Sequence, residues 1–179
     1  AEQMYKDALD IHKRLAEANP QAYELCLAQS YNNLANLYYS TQRFNEAEHM
    51  YKTAIDIHKR LAEANPQAYE LYLAQSYNNL ANLYYSTQRF NEAEHMYKVA
   101  LEIHKRLADS NPQLYNKEQA ECLFWLADSR IKQEKYSEAI APLEKALDFY
   151  KKEAENVISI DYYNTIISWL YQLYSQEKK

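Results

Sequence analysis

The stretch YNNLANLYYSTQRFNEAEHMYK at residues 31–52 recurs letter for letter at residues 77–98. The chain carries a larger duplication, in which residues 1–46 recur almost unchanged as residues 47–92. The two copies differ at four positions, which are Gln3/His49, Asp7/Thr53, Leu9/Ile55 and Cys26/Tyr72. Residues 93–138 begin a third copy and then diverge. A fixed period, here 46 residues, is typical of stacked supersecondary units rather than of one globular core.

The apolar spacing within each copy indicates helices. Apolar residues fall at i, i+3, i+4 and i+7, as on one face of an amphipathic helix. In the first copy they are Tyr31, Leu34, Ala35 and Tyr38. We call this helix A, and the helix that follows the polar turn STQRFN we call helix B. Asn45 and Glu48 have the spacing of a capping box, which predicts that helix B begins at residue 45.

The pattern predicts an all-α fold of about eight helices, arranged as antiparallel A/B pairs. The B helices are predicted at residues 1–18, 45–64, 91–110 and 137–155, and the A helices at roughly 24–40, 70–86 and 116–132. Each of the first three B helices should end before an Asn-Pro pair, because the residue before proline resists the helical conformation. The segment PQAYE after it is compatible with either the start of helix A or a separate turn.

Composition excludes several classes of protein. The chain of 179 residues has no glycine, 19 tyrosines and a formal net charge of −5. The lack of glycine argues against Gly-rich phosphate loops. Mild acidity without a Lys/Arg stripe argues against a nucleic-acid partner, and no apolar run approaches the length of a membrane span. Two cysteines do not make a disulfide framework, so we expect a reducing, cytoplasmic setting.

The repeated apolar residues of helices A and B resemble the tetratricopeptide repeat, whose signature is W-x2-L-G-x2-Y, then A-x3-F, then P. Its two halves are matched by Tyr31, Leu34, Ala35 and Tyr38, and then by Ala47, Tyr51 and Ala54. The ordinary period is about 34 residues, and the extra length here falls in helix B and the connection after it. The lengthened repeat is most similar to those of kinesin light chains and their bacterial relatives. The resemblance implies a right-handed α-solenoid, the tetratricopeptide superhelix, in which the A helices line a concave groove for extended peptides.

The resemblance also implies a single array along the chain. Its expected parts are the second half of a repeat at residues 1–23, full repeats at 24–69, 70–115 and 116–157, and a capping helix at 158–179. The third repeat departs from the pattern at Arg130, where the family has tyrosine. We expect this side chain either to extend toward solvent or to pair near Asp128.

A second stripe of residues runs beside the core face of each A helix and is our candidate binding surface. Its members are Gln29, Asn32, Asn33, Asn36 and Tyr39, then Gln75, Asn78, Asn79, Asn82 and Tyr85, and in the third repeat Glu121, Phe124, Trp125 and Asp128. Asparagine is disfavoured inside helices, so its repeated use in NNLAN favours a functional role. Amides can pair with the backbone of any peptide, tyrosine adds contact area, and Phe124 with Trp125 predicts an aromatic anchor site. The alternative is that the asparagines are solvated or bond one another between helices.

Histidine also recurs once per repeat, at His12, His58 and His104. We interpret these positions as duplicated surface sites rather than metal ligands. The sequence contains no recognisable nucleophile–base pair, metal-ligand spacing or paired carboxylates, so we expect neither an enzyme nor a cofactor. The sequence therefore predicts a scaffold whose partner is a protein or peptide, and not nucleic acid or a membrane. The alternatives are a homo-oligomer formed through the unpaired first helix and a regulatory repeat domain of a larger protein.

Overall fold

The computed structural model describes residues 2–152 and 157–177, without the side chains of residues 112–114, 157–160 and 176–177. These residues form eight helices and no strand, which confirms the predicted all-α class. The helices are α1 (Glu2–Ala18), α2 (Pro20–Ser40), α3 (Phe44–Ala64), α4 (Pro66–Ser86), α5 (Phe90–Ser110), α6 (Pro112–Ile131), α7 (Tyr136–Lys152) and α8 (Val157–Glu177).

The helices divide into two compact units, Ala1–Gln88 and Arg89–Lys179. In the first unit each helix packs on the next, from α1 to α4, and in the second unit the same holds from α5 to α8. Small side chains at the contacts let neighbouring helices approach closely: Ala35, Ala47 and Ala54 are all fully buried. The alanine spacing read from the sequence thus marks the helix–helix contacts.

The A and B helices begin a few residues earlier than the sequence predicts. The PQAYE segment joins helix A, because α2 and α4 begin at prolines whose missing N–H costs nothing at a helix start. The side chains of Asn19 and Asn65 cap these helices by accepting from the backbone N–H three residues later, at 3.3 Å. The predicted capping box at Asn45 is wrong. Helix α3 begins one residue earlier at Phe44, and the carbonyl of Arg43 accepts the first helical bond, from Ala47, at 3.0 Å.

A glutamate near the start of each of α1, α3 and α5 accepts a hydrogen bond from the end of the next helix or from the turn after it. Glu2 accepts from Arg43 at 3.0 Å, and Glu48 accepts from the hydroxyl of Tyr84 at 2.9 Å. At the same register in the next repeat, Glu94 accepts from Arg130 at 3.0 Å. Arg130 therefore replaces the family tyrosine and keeps its role as a donor. The expectation that Arg130 extends to solvent or pairs near Asp128 is wrong.

Glu94 collects more partners than its counterparts described above. Its carboxylate also meets Lys98 at 2.7 Å and Lys135 at 2.9 Å, and it accepts from Gln133 at 3.1 Å. Burial by itself raises the pKa of Glu94. The hydrogen bonds from these four side chains outweigh burial and lower that pKa to about 2. The carboxylate of Glu94 is therefore ionised at neutral pH, and it lies against the turn between α6 and α7.

Candidate functional site

A pocket of about 320 Å³ opens in the first unit between the A helices α2 and α4. It is lined by Gln29, Asn32, Asn33, Asn36, His58, Tyr72, Gln75 and Asn79. Six of these eight residues belong to the stripe that the sequence predicts. The i, i+3, i+4 and i+7 spacing on α2 places four of them on one helical face, which explains why they meet.

The remaining stripe residues of the first unit are not among the lining residues of this pocket. Tyr39 instead joins α2 to α4, because its hydroxyl and that of Ser86 lie 2.6 Å apart in a hydrogen bond. Its ring also packs against Phe44, with centroids 6.1 Å apart. Tyr85, Asn78 and Asn82 are not in the lining set either. The structure thus narrows the candidate surface to the amide-rich middle of the two helices.

The third-repeat stripe lies in the second unit and has a different environment. Phe124 is buried, and its ring packs edge-on against Tyr162 at 4.7 Å and stacks on Trp169 at 5.1 Å, both in α8. Asp128 is buried as well, while Glu121 and Trp125 are half-buried. Burial raises the pKa of Glu121. In the described structure Phe124 is a core residue and offers no exposed ring to a ligand.

The floor of the pocket is a hydrogen-bonded trio from three consecutive helices. The Nδ2 of Asn32 donates to the Oγ of Ser76 at 2.8 Å, and the Nδ1 of His58 lies 2.8 Å from the same oxygen. His58 is 1% exposed, and burial lowers its pKa to about 4, so it is neutral at pH 7. His104 is also buried. The interpretation as surface positions is therefore wrong for His58 and His104, whereas His12 is half-buried.

Sequence reasoning missed two lining residues, His58 and Tyr72. The ring of Tyr72 stacks on that of His58 with centroids 5.9 Å apart and an interplanar angle of 24°. A signal was available for Tyr72, since it is one of the four positions at which the two copies differ. His58 gave no such signal, because its contact with the pocket depends on how α3 packs under α2 and α4.

The pocket offers hydrogen bonds and no charge. Its lining consists of amides, one phenol and one neutral imidazole. Two buried polar atoms of the lining, Asn32 Oδ1 and His58 Nε2, have no hydrogen-bond partner within the described residues. In the same part of the chain, no group of three or more His, Cys, Asp or Glu side chains is placed to hold a metal. No described helix has the length and apolar character needed to cross a bilayer.

Comparison with known proteins finds a repeat family that matches part of the chain. The sequence profile described as "Tetratricopeptide repeat" matches residues 27–106, which include every lining residue of the pocket. No curated protein matches the chain.

Solved structures share the fold at low sequence identity. BtubC (BKLC) from P. vanneervenii superposes with a TM-score of 0.73 at 22% identity, covering 96% of this chain and 65% of that one. The apo form of RapI gives 0.70 at 15% identity, covering 98% and 45%. The N-terminal domain of stress-induced protein-1 (STI-1) from C. elegans gives 0.58 at 19% identity, covering 80% and 96%. The chain thus spans less than two thirds of BtubC and less than half of RapI. The match in sequence therefore assigns residues 27–106 to the tetratricopeptide repeat, and the chain shares the helix-pair solenoid fold of these structures along nearly its whole length.

Proposed function

We propose that this chain is a protein–protein interaction module that binds an extended peptide segment in the pocket between α2 and α4. One observation carries the proposal: six stripe residues from two consecutive A helices converge on one open, uncharged pocket. Amide side chains offer both donors and acceptors, which is what the backbone of a bound peptide requires. The module acts by binding, without chemistry of its own.

Part of the pocket is held in place before any ligand arrives. Asn32 is fixed by Ser76, and the Oδ1 of Asn36 accepts from the hydroxyl of Tyr51 at 2.5 Å. Side chains that are already ordered lose less entropy when a partner binds, so these contacts support affinity. Asn33 and Asn79 make no side-chain hydrogen bond within the described residues and remain available to a peptide backbone.

The test is a double substitution, Asn33→Ala with Asn79→Ala. Alanine is the better helix former by several tenths of a kcal/mol at each site, so the thermal midpoint should stay level or rise. Enrichment of peptides from a random display library on the immobilised chain should fall at least about tenfold, or about 1.4 kcal/mol. The matched control is Asn45→Ala with Asn91→Ala, which changes two exposed asparagines of the B helices outside the pocket. Equal enrichment by the pocket variant and the control would refute the proposal.

A second candidate function is self-association through α1, favoured by exposed apolar side chains. Met4 is 75% exposed and Ile11 is 47% exposed, whereas the repeat equivalents of Ile11, Ile57 and Ile103, are buried. A second copy that covered this face would repeat the contact that α2 makes on α3. Light scattering over a concentration series tests this candidate, with Ile11→Glu as the variant that should restore the monomer. A strict monomer at every concentration would exclude it.

A further inference from the structure

The pocket floor carries two buried polar atoms that the fold leaves unsatisfied. These atoms are His58 Nε2 and Asn32 Oδ1, at the far ends of the two groups that meet at Ser76. Buried polar groups in folded proteins are nearly always hydrogen-bonded, so each exception calls for a partner. Each atom has less than 1 Å² of accessible surface, but both residues line the open pocket, so a ligand can supply the partner once the lining side chains rotate to admit it.

The hydrogen-bonding roles of the two atoms follow from Ser76. Its oxygen accepts from Asn32, and we assign its hydroxyl proton to His58 Nδ1. The neutral imidazole then carries its single proton on Nε2, which makes Nε2 a donor. Asn32 Oδ1 is an acceptor. The floor therefore presents one donor and one acceptor, and it bears no net charge.

We propose that this floor anchors the ligand by a neutral carboxamide, the side chain of a glutamine or asparagine. A carboxamide oxygen accepts from His58 Nε2, and its NH₂ group donates to Asn32 Oδ1. A carboxylate cannot donate to Asn32, and an ammonium group cannot accept from His58. Either charge would also be desolvated in a lining that holds no counter-charge. Tyr72, stacked on the imidazole, supplies a flat wall against which the planar amide can lie.

This inference rests on the proposed function, because it specifies the ligand of the same pocket. The experiment uses the full chain, immobilised, and three random peptide libraries that are identical except for a fixed central glutamine, glutamate or lysine. Glutamine and glutamate have nearly the same shape, so this pair isolates the effect of charge. We expect the glutamine library to be enriched at least about tenfold over each charged library, a difference of about 1.4 kcal/mol.

Two histidine variants assign the preference to the pocket floor. His58→Phe keeps an aromatic ring and removes both nitrogens, and it should reduce the glutamine preference to near unity. The matched control is His12→Phe, since His12 makes the equivalent contact with Ser30 at 2.6 Å but is not a lining residue. His12→Phe should keep the preference. Circular dichroism verifies that each variant folds, and the wild-type library comparison stands by itself if one does not.

The outcomes distinguish a failure of the proposed peptide binding from a failure of the carboxamide anchor. If the wild-type chain enriches no peptide from any library, both the proposed function and this inference are overturned. If it enriches peptides that lose binding in the Asn33/Asn79 double variant but prefer a charged centre, the proposed function stands and the carboxamide anchor is refuted. Enrichment without any preference at the central residue also refutes the anchor.

Discussion

Replacing Glu94 with glutamine should destabilise the second unit at neutral pH by roughly 3 kcal/mol. Glu94 is buried and serves as the common counter-ion of Arg130, Lys98 and Lys135, at 3.0, 2.7 and 2.9 Å. Glutamine keeps nearly the same shape but carries no charge. Arg130, whose side chain is 14% exposed, would then lose its closest carboxylate, which leaves its desolvation uncompensated, and Lys98 and Lys135 would lose their counter-ion.

The magnitude follows from the pKa of Glu94. Burial raises it, and the hydrogen bonds from Lys98, Lys135, Arg130 and Gln133 lower it from 4.5 to about 2. That difference corresponds to roughly 3 kcal/mol of preference for the ionised form in the folded state. Because the folded pKa lies below the unfolded one, this stability is present above about pH 4.5 and is lost as the pH falls toward 2. The wild-type protein should lose it through that window, and the glutamine variant should lack it throughout.

Urea unfolding followed by two probes measures the effect. Both tryptophans, Trp125 and Trp169, lie in the second unit, so their fluorescence reports that unit, whereas far-ultraviolet circular dichroism reports both. The matched control is Glu48→Gln at the same register of the first unit. There the carboxylate meets the neutral hydroxyl of Tyr84 and Lys52, which is 55% exposed, so we expect a loss of about 1 kcal/mol. That loss should appear in circular dichroism and leave the fluorescence transition in place.

The reasoning fails if Glu94→Gln unfolds at the wild-type urea concentration at pH 7 and shows the same decline in stability between pH 4.5 and 2. That result would mean that the cost of desolvating the charges cancels their attraction, as it does in some buried ion-pair networks. Equal losses in the Glu94 and Glu48 variants would instead show that the extra cations around Glu94 contribute nothing.

Three further predictions test packing, capping and the thiols. Asn65→Ala removes the side-chain cap of α4 and should lower the free energy of unfolding by about 1 kcal/mol in urea titration, and a change below 0.3 kcal/mol would contradict the assigned cap. Tyr51→Phe removes the hydroxyl that donates to Asn36 Oδ1 of α2 at 2.5 Å, and it should lower the free energy of unfolding by about 1 kcal/mol. Tyr5→Phe, at the exposed position one repeat earlier, should leave that free energy unchanged. Equal effects of the two substitutions would contradict the difference in burial. Burial raises the pKa of the Cys122 thiol to about 12, so a thiol reagent at pH 8 should modify Cys26 alone in the native chain, and rapid modification of both would refute the burial of Cys122.

Local spacing was enough to predict the helices and most of the pocket. The Tyr31 to Tyr38 periodicity depends only on 3.6 residues per turn, and the same geometry places Asn32, Asn33 and Asn36 on one face. Helix starts were less accurate, because Asn45 and Glu48 have the letters of a capping box while the turn before them sets the first helical bond at Arg43. Side-chain patterns near a helix start do not determine which carbonyl accepts that bond.

What the sequence could not supply was burial that depends on a neighbouring helix. His58 sits in a polar run, IHKR, yet α2 and α4 cover it. Phe124 has the spacing of an exposed stripe residue, yet α8 packs over it with Tyr162 and Trp169. The sequence of α8 does not repeat the other A helices, so the period carries no information about that contact.

The duplication itself provides a comparison that bears on the pocket. Asn32 and Phe124 occupy the same register, two periods apart. In the second unit Phe124 packs into the core at this position, so the helix-pair fold accepts an apolar side chain there. In the first unit the position holds an amide, which costs several tenths of a kcal/mol in helix propensity and leaves Oδ1 buried without a described partner. The Nδ2 of the same amide donates to Ser76 at 2.8 Å and links α2 to α4, and a ligand that satisfies Oδ1 would offset the remaining cost. The two units therefore differ in chemistry at this register, and the unpartnered Oδ1 of Asn32 is the part of the difference that favours binding.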